Sequence, residues 1–215
     1  DIQIDNEDTQ DLTSADMIGE IDVCVLRLPT VSNFTDVDAL DTMPGVSVRY
    51  AQDPVEVGNP DLLILPGAKD TLSDLRWLRS RGLDRSTIAA AARGIPVLGL
   101  CGGFQILGRS LADPSGTGGS AGQLEGLGLL DVATHFSTDK QVRTVSGTTQ
   151  GGWLLPAGLP VSGYEIHQGL TAAGASPMLT LDSADGAICA AGVVVAVAVA
   201  SAACAASVAG MLGRS

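Results

Sequence analysis

The sequence predicts an α/β protein, with a mainly parallel sheet carrying helices on both faces and a small antiparallel addition. Three observations point there. Short apolar runs rich in Val, Ile and Leu alternate with segments of helical spacing, the pattern of parallel strands joined by crossover helices. Two of these runs stop at a glycine junction, Leu65-Pro66-Gly67 and Gly99-Leu100-Cys101-Gly102-Gly103, before helical spacing resumes. The 215 residues, 45% of them hydrophobic, are enough for one domain with a substantial core.

Taken in order, residues 1–20 are acidic and irregular and read as a linker or surface arm. Ile21 to Leu28 is rich in β-branched residues and gives the first strand. Pro29 and the polar Ser32-Asn33-Phe34-Thr35-Asp36 stretch end it and offer an N-cap to a short helix near Val37 to Met43. Pro44-Gly45 turns the chain into a second strand, Val46 to Ala51. Asp61 to Leu65 is the third strand, followed by a helix with apolar positions Leu72, Leu75, Trp77 and Leu78. An alanine-rich helix over 86–93 closes on Gly94, and Ile95 to Leu100 leads into Cys101. Beyond it, Phe104, Ile106, Leu107 and Leu111 keep helical spacing. The stretch from Asp113 to Gly122 reads as a loop, either near a binding face or without order. Leu127 to Phe136, Gln141 to Thr148 and Pro160 to Ile166 then read as antiparallel strands separated by turns.

Cys101 is the candidate nucleophile. A side chain at a strand-to-helix turn sits beside the unpaired N–H groups of the helix, which favour a thiolate. The glycines after it permit unusual backbone angles and close approach of a substrate. An isolated cysteine is usually a small apolar filler; this context argues otherwise. If the strands before Gly67 and Cys101 are neighbours, Gly67 stands where a backbone N–H can face an oxyanion formed at the sulfur.

Composition narrows the classes. With 24 acidic against 12 basic residues and no basic cluster, the chain lacks the footprint of a nucleic-acid binder. Cys24, Cys101, Cys189 and Cys204 form no CxxC pair and no zinc-ligand spacing with His135 or His167, so no metal is expected. No disulfide framework is apparent, which makes a reducing cytoplasm the expected setting. The first residues carry no signal peptide pattern and no initiator Met, and the chain reads as part of something longer.

With these motifs in hand, the chain resembles the class I glutamine amidotransferases, whose fold is flavodoxin-like. Leu28-Pro29-Thr30-Val31-Ser32-Asn33-Phe34-Thr35-Asp36 narrows the likeness to the glutaminase domain of the cobyric acid synthase family. So do Leu65-Pro66-Gly67-Ala68-Lys69-Asp70-Thr71 with Asp74-Leu75-Arg76-Trp77-Leu78, and Gly163-Tyr164-Glu165-Ile166-His167-Gln168-Gly169. The resemblance covers about 21–186. It implies that Cys101 attacks the side-chain amide of glutamine to form a thioester, with N–H groups of Gly67 and Gly102 as the oxyanion hole and Gln105, Tyr164 and Glu165 binding substrate. It also implies a partner, an ATP-dependent synthetase domain or subunit that activates carboxylates on a corrinoid for amidation in cobalamin biosynthesis. No GxxxxGK[ST] phosphate loop occurs here, so ATP and Mg are expected only in that synthetase part, with no cofactor in this domain.

One departure concerns the base. The family's histidine lies in a Thr-Tyr-Leu-His-Gly-Leu-Phe segment, and carrying the register forward from Asp185-Gly186-Ala187 puts Ala200 in its place. His167, two residues from Glu165, is then the remaining candidate base, ahead of His135. Residues 187–215 form an atypical tail, uncharged from Ala187 to Leu212 and dominated by Ala and Val. That run is long enough for a membrane helix, but its alanines, Gly192 and serines argue against a span. A reading-frame change near residue 189 would produce such text. Two expectations therefore stand side by side: a glutaminase domain, and a catalytically impaired relic or non-catalytic interaction subunit that lacks the base.

Overall fold

The computed structural model describes residues 20–32, 37–151, 156–173, 179–182, 188–189 and 195–198. The expected arm over 1–20 lies, except for Glu20, outside the described residues, as do Ala200 and most of the tail.

The first half of the chain builds the parallel sheet. β1 (Ile21–Leu26), β2 (Val46–Ala51), β3 (Leu62–Leu65) and β4 (Val97–Leu100) pair in parallel, in the order β4-β3-β1-β2. Their side chains alternate between two apolar clusters. Cys24, Leu26, Leu63, Leu65 and Val97 point to one face, and Val23, Val25 and Ile64 to the other. Burial on both faces explains why β3 reads as a continuous apolar run, while the edge strand β2 carries Ser47 and Arg49. The helices are unevenly shared between the faces. α3 (Thr71–Arg81), α4 (Leu83–Ala92) and α5 (Gly102–Leu107) contribute Leu72, Leu75, Leu78, Leu83, Ile106 and Leu107 to the first cluster. The short α1 (Asp38–Asp41), with Val37 and Leu40, packs on the second. Each fully buried leucine is worth about 1.5–3 kcal/mol, so the first face dominates the core.

Several elements differ from the sequence reading. α1 is capped by Val37 with no side-chain hydrogen bond, and Asn33 to Asp36 lie outside the described residues. A one-turn helix, α2 (Pro54–Val57), follows β2 and was not expected. Arg49 fastens it, donating to Asp22 Oδ1 at 2.8 Å and Oδ2 at 3.0 Å, to the Val57 carbonyl at 2.8 Å and to the Glu56 carbonyl. α4 begins at Leu83, directly after Gly82, whose φ of 75° ends α3. α5 stops at Leu107, and Leu111 belongs to a strand, β5 (Ser110–Asp113). The reason is tertiary: the N–H groups of Leu127, Leu129 and Leu130 take the Ile106 and Leu107 carbonyls at 2.8–2.9 Å, so the helix cannot be continued through them.

The second sheet adds β6 (Gly122–Glu125), β7 (Val132–Gln150), β8 (Ala157–Ala173), β9 (Leu179–Asp182) and β10 (Ile188–Cys189). Its order is β10-β9-β7-β5-β6, with β8 paired to β7. All these pairs are antiparallel except β5 with β7. The break expected between Phe136 and Gln141 is a register shift within one long strand, between His135 and Lys140. The Asp113–Gly122 loop, for which absence of order was one expectation, is a tied connection. The Asp113 carboxylate accepts from the Thr117 and Gly118 N–H groups at 2.9 and 2.7 Å. In the tail, β11 (Val195–Ala198) runs antiparallel to β4, with Val195 opposite Leu100 and Ala198 opposite Val97. The described residues hold no helix long and apolar enough to cross a membrane.

Candidate active site

The site is built where β3 and β4 end. The two strands are parallel neighbours with Leu65 level with Gly99, so the turns that follow them leave the sheet side by side. A Cβ placed on Gly67 would lie 3.6 Å from the Cys101 Cβ. Three glycines allow this closeness. A Cβ on Gly99 would sit 2.6 Å from the Phe104 Cα, because α5 folds straight back over β4. One on Gly103 would meet the Leu65 carbonyl and lie 2.7 Å from the Pro66 oxygen, and one on Gly102 would lie 2.8 Å from the Ala68 Cβ.

Cys101 stands at the apex with φ 47° and ψ −110°, the one non-glycine residue with positive φ among the described residues. This conformation is sparsely populated for a residue with a Cβ and is held only because the surroundings impose it. It turns the side chain out of the sheet, and Cys101 is exposed, whereas Gly102, Gly103 and Phe104 behind it are buried. Cys24 is the opposite case: fully buried, with burial pushing its thiol up to about 11. An exposed sulfur at the start of α5 is the better placed of the two for chemistry.

The turn after β3 is held by the segment that follows β1. Val31 and Ala68 form an antiparallel bridge, in which the Ser32 N–H donates to the Gly67 carbonyl and the Lys69 N–H to the Thr30 carbonyl, each at 2.8 Å. In such a bridge the peptide groups of the central pair face away from the partner strand. For Ala68 that direction is the elbow: its N and O are 2.9 and 3.1 Å from the position of a Cβ on Gly102. The Gly67 carbonyl is thus committed, a Cβ on Gly67 would meet the Ser32 hydroxyl, and the Ala68 N–H lies against the first residue of α5. Sequence reasoning singled out Gly67 and Gly102 and missed Ala68, Ser32 and Thr30.

Around this turn runs a polar network. Asp70 caps α3 by accepting from the Ser73 N–H at 3.0 Å, and the Ser120 hydroxyl of the β5–β6 loop donates to its other oxygen at 2.6 Å. Partial burial opposes ionisation of Asp70, but the hydrogen bonds from Ser120 and Ser73 outweigh it and hold the carboxyl below its ordinary value. Asp74 is fully buried, and this burial raises its pKa although Thr30 donates to both of its oxygens. Thr71 donates to Gln105 Oε1 at 3.3 Å, which joins α3 to α5 one turn past Cys101.

Of the other residues expected at the site, Gln105 is therefore brought close on α5. Tyr164, Glu165 and His167 lie on β8, in the second sheet, opposite Thr144, Arg143 and Gln141 of β7; their side chains are outside the described set. His135 is exposed on β7. Ala200 is likewise outside the described residues, and β11 ends at Ala198 beside Val97, the end of β4 farther from Cys101. Among the described residues no group of three or more His, Cys, Asp or Glu side chains gathers as metal ligands would.

Comparison with known proteins adds three findings. Residues 22–199 match the family described as the CobB/CobQ-like glutamine amidotransferase domain. The chain is 49% identical over 176 residues to cobyric acid synthase of Mycobacterium ulcerans, covering 81% of this chain and 34% of that protein. It is 47% identical over 171 residues to cobyric acid synthase of Mycolicibacterium vanbaalenii, with 79% and 34% covered. The chain thus spans about a third of the length of these curated relatives. The solved structure of PurLQS from Thermotoga maritima aligns with a TM-score of 0.55 over 81% of this chain and 84% of that one at 15% identity, a likeness of fold.

Proposed function

The chain belongs to the CobB/CobQ-like glutamine amidotransferase domain family, and from that premise we propose that it hydrolyses glutamine through Cys101 and supplies ammonia to a synthetase. The observation that carries the reading is the strained, exposed Cys101 at the start of α5, packed against the turn at Gly67 and Ala68. In the proposed reaction the Cys101 thiolate attacks the carboxamide carbon of glutamine. The C–S bond forms as the carbonyl electrons move onto oxygen, and the N–H groups of Gly102 and of the Gly67–Ala68 turn donate to that oxyanion. Collapse breaks the C–N bond, the nitrogen takes up a proton and leaves as ammonia, and water then cleaves the thioester to glutamate. Gln105, oriented by Thr71, is the proposed contact for the substrate near α5, and Tyr164 and Glu165 remain candidates for the same task.

The base in this scheme is proposed to be His167. His167 is the candidate carried from the sequence, and its role stands or falls with the experiment below. The relatives named cobyric acid synthase are about three times longer than the matched region. This supports the further proposal that ammonia passes to a synthetase part beyond the matched region; we propose that this part is ATP- and Mg-dependent and acts on a corrinoid in cobalamin biosynthesis, in the cytoplasm. The test is glutamate and ammonia formation by the full chain, with and without such a synthetase, compared with Cys101→Ala and His167→Ala. Turnover abolished by Cys101→Ala and strongly reduced by His167→Ala is the expected result, and His167→Ala turning over at the unsubstituted rate would remove His167 as the base. Absence of any Cys101-dependent turnover, with the synthetase present, would overturn the enzyme reading in favour of a non-catalytic relic or interaction subunit.

A further inference from the structure

We infer that Thr30, locked in place by Asp74, is a positioning residue for acyl transfer to Cys101, holding the Gly67–Asp70 turn at the distance where the Ala68 N–H faces the elbow. The inference rests on the glutaminase reading above and adds to it a residue that does not touch the substrate.

Thr30 makes four hydrogen bonds, and together they bind three segments. Its carbonyl accepts from the Lys69 N–H at 2.8 Å, and its hydroxyl oxygen accepts from the Asp70 N–H at 2.9 Å. The same hydroxyl donates to Asp74 Oδ2 at 2.8 Å, while the Thr30 N–H donates to Asp74 Oδ1 at 3.2 Å. Asp74 sits in the first turn of α3 and is fully buried, so its carboxylate is a fixed anchor. Both of its oxygens are taken by Thr30, which fixes the threonine in turn. The turn after β3 is therefore clamped at two successive amides, Lys69 and Asp70, directly after Ala68, and at the Gly67 carbonyl by Ser32 directly before it. A peptide gripped on both sides cannot rotate, and an oxyanion-hole donor contributes only if its direction is set before the charge develops.

The experiment uses the full 215-residue chain and measures single-turnover acylation of Cys101 by an activated γ-glutamyl aryl ester, followed by release of the phenolate. The good leaving group makes this step independent of a proton donor, while the oxyanion must still be stabilised. Alkylation by iodoacetamide, which forms no oxyanion, is measured in parallel. Thr30→Val keeps the size of the side chain and both backbone bonds but loses the hydroxyl. It is expected to slow acylation roughly tenfold or more and leave alkylation within about twofold of the unsubstituted chain, with Thr30→Ser restoring most of the acylation rate. Should Thr30→Val fail to fold, Asp74→Asn, which keeps one acceptor for Thr30, carries the same comparison. Acylation at the unsubstituted rate, or equal loss of acylation and alkylation, would overturn the positioning role while leaving the glutaminase reading intact. Failure of the unsubstituted chain to acylate faster than Cys101→Ala would remove the glutaminase reading and this inference with it.

Discussion

Replacing Cys101 by glycine is expected to leave the protein more stable than replacing it by alanine, the reverse of the usual order. At most positions glycine costs about 0.4–1 kcal/mol relative to alanine, because it enlarges the conformational freedom of the unfolded chain. At φ 47° and ψ −110° a Cβ is itself the problem, and such sparsely populated conformations cost about 1–3 kcal/mol. Alanine keeps that strain; glycine releases it. Because Cys101 is exposed, loss of the sulfur removes little packing, and Cys101→Ala should lie within about 0.5 kcal/mol of the unsubstituted protein. Setting the release against the unfolded-state cost leaves Cys101→Gly ahead of Cys101→Ala by about 1 kcal/mol, or roughly 2–4 °C in Tm for a chain of this size. Urea unfolding followed by far-UV circular dichroism measures the difference, and equal m-values verify that only stability has changed. A Cys101→Gly variant less stable than Cys101→Ala would refute the claim that the elbow stores strain.

Two further expectations concern the packing of α5 on β3 and the core around β1. Gly103→Ala should destabilise by about 3 kcal/mol, at the top of the range for overpacking, because the added methyl would meet the backbone of Leu65 and Pro66, which cannot rotate away. Thermal unfolding should show a loss of several degrees, and a Tm unchanged from the parent would contradict the close packing of α5 on β3. Cys24, with its thiol pushed up to about 11 by burial, should stay neutral and resist iodoacetamide at pH 8, while Cys101 reacts. Peptide mapping of the alkylated native protein checks this, and labelling of Cys24 before unfolding would show that the β1 core is more open than described.

The parts of the fold that were legible in the sequence share a physical cause. β3 and β4 lie inside the sheet, so they survive in the sequence as apolar runs, whereas the edge strand β2 carries Ser47, Arg49 and Tyr50 and is legible mainly from the Pro44-Gly45 turn before it. Gly102 and Gly103 punctuate the end of β4 because a Cβ there would meet Ala68 and the Leu65–Pro66 backbone, and Gly67 that of β3 because one would meet the Ser32 hydroxyl. β5 and β6 were illegible because four residues are too few to establish alternation, and Leu111, four positions after Leu107, imitates a helical repeat. What ends α5 at Leu107 is a set of hydrogen bonds from Leu127, Leu129 and Leu130, which no local pattern announces. The site divides in the same way. Cys101, Gly67 and Gly102 lie in contiguous motifs. Thr30 meets Asp74 across 44 positions, and neither residue type at its own place suggests the other.

The bridge between Val31 and Ala68 also bears on when the site comes into being. The exits of β1, β3 and β4, which carry Thr30, Gly67 and Cys101, are separated by whole crossover units, so every contact among them is non-local. Contacts of that kind close late, after the loop entropy between them has been overcome. Until β3 has docked between β1 and β4, the cysteine has nothing to hold it in its unusual conformation and is an ordinary thiol on a flexible chain. Its distinct reactivity is thus a late product of folding, and a nascent or partly folded chain carries the residue without yet carrying the site.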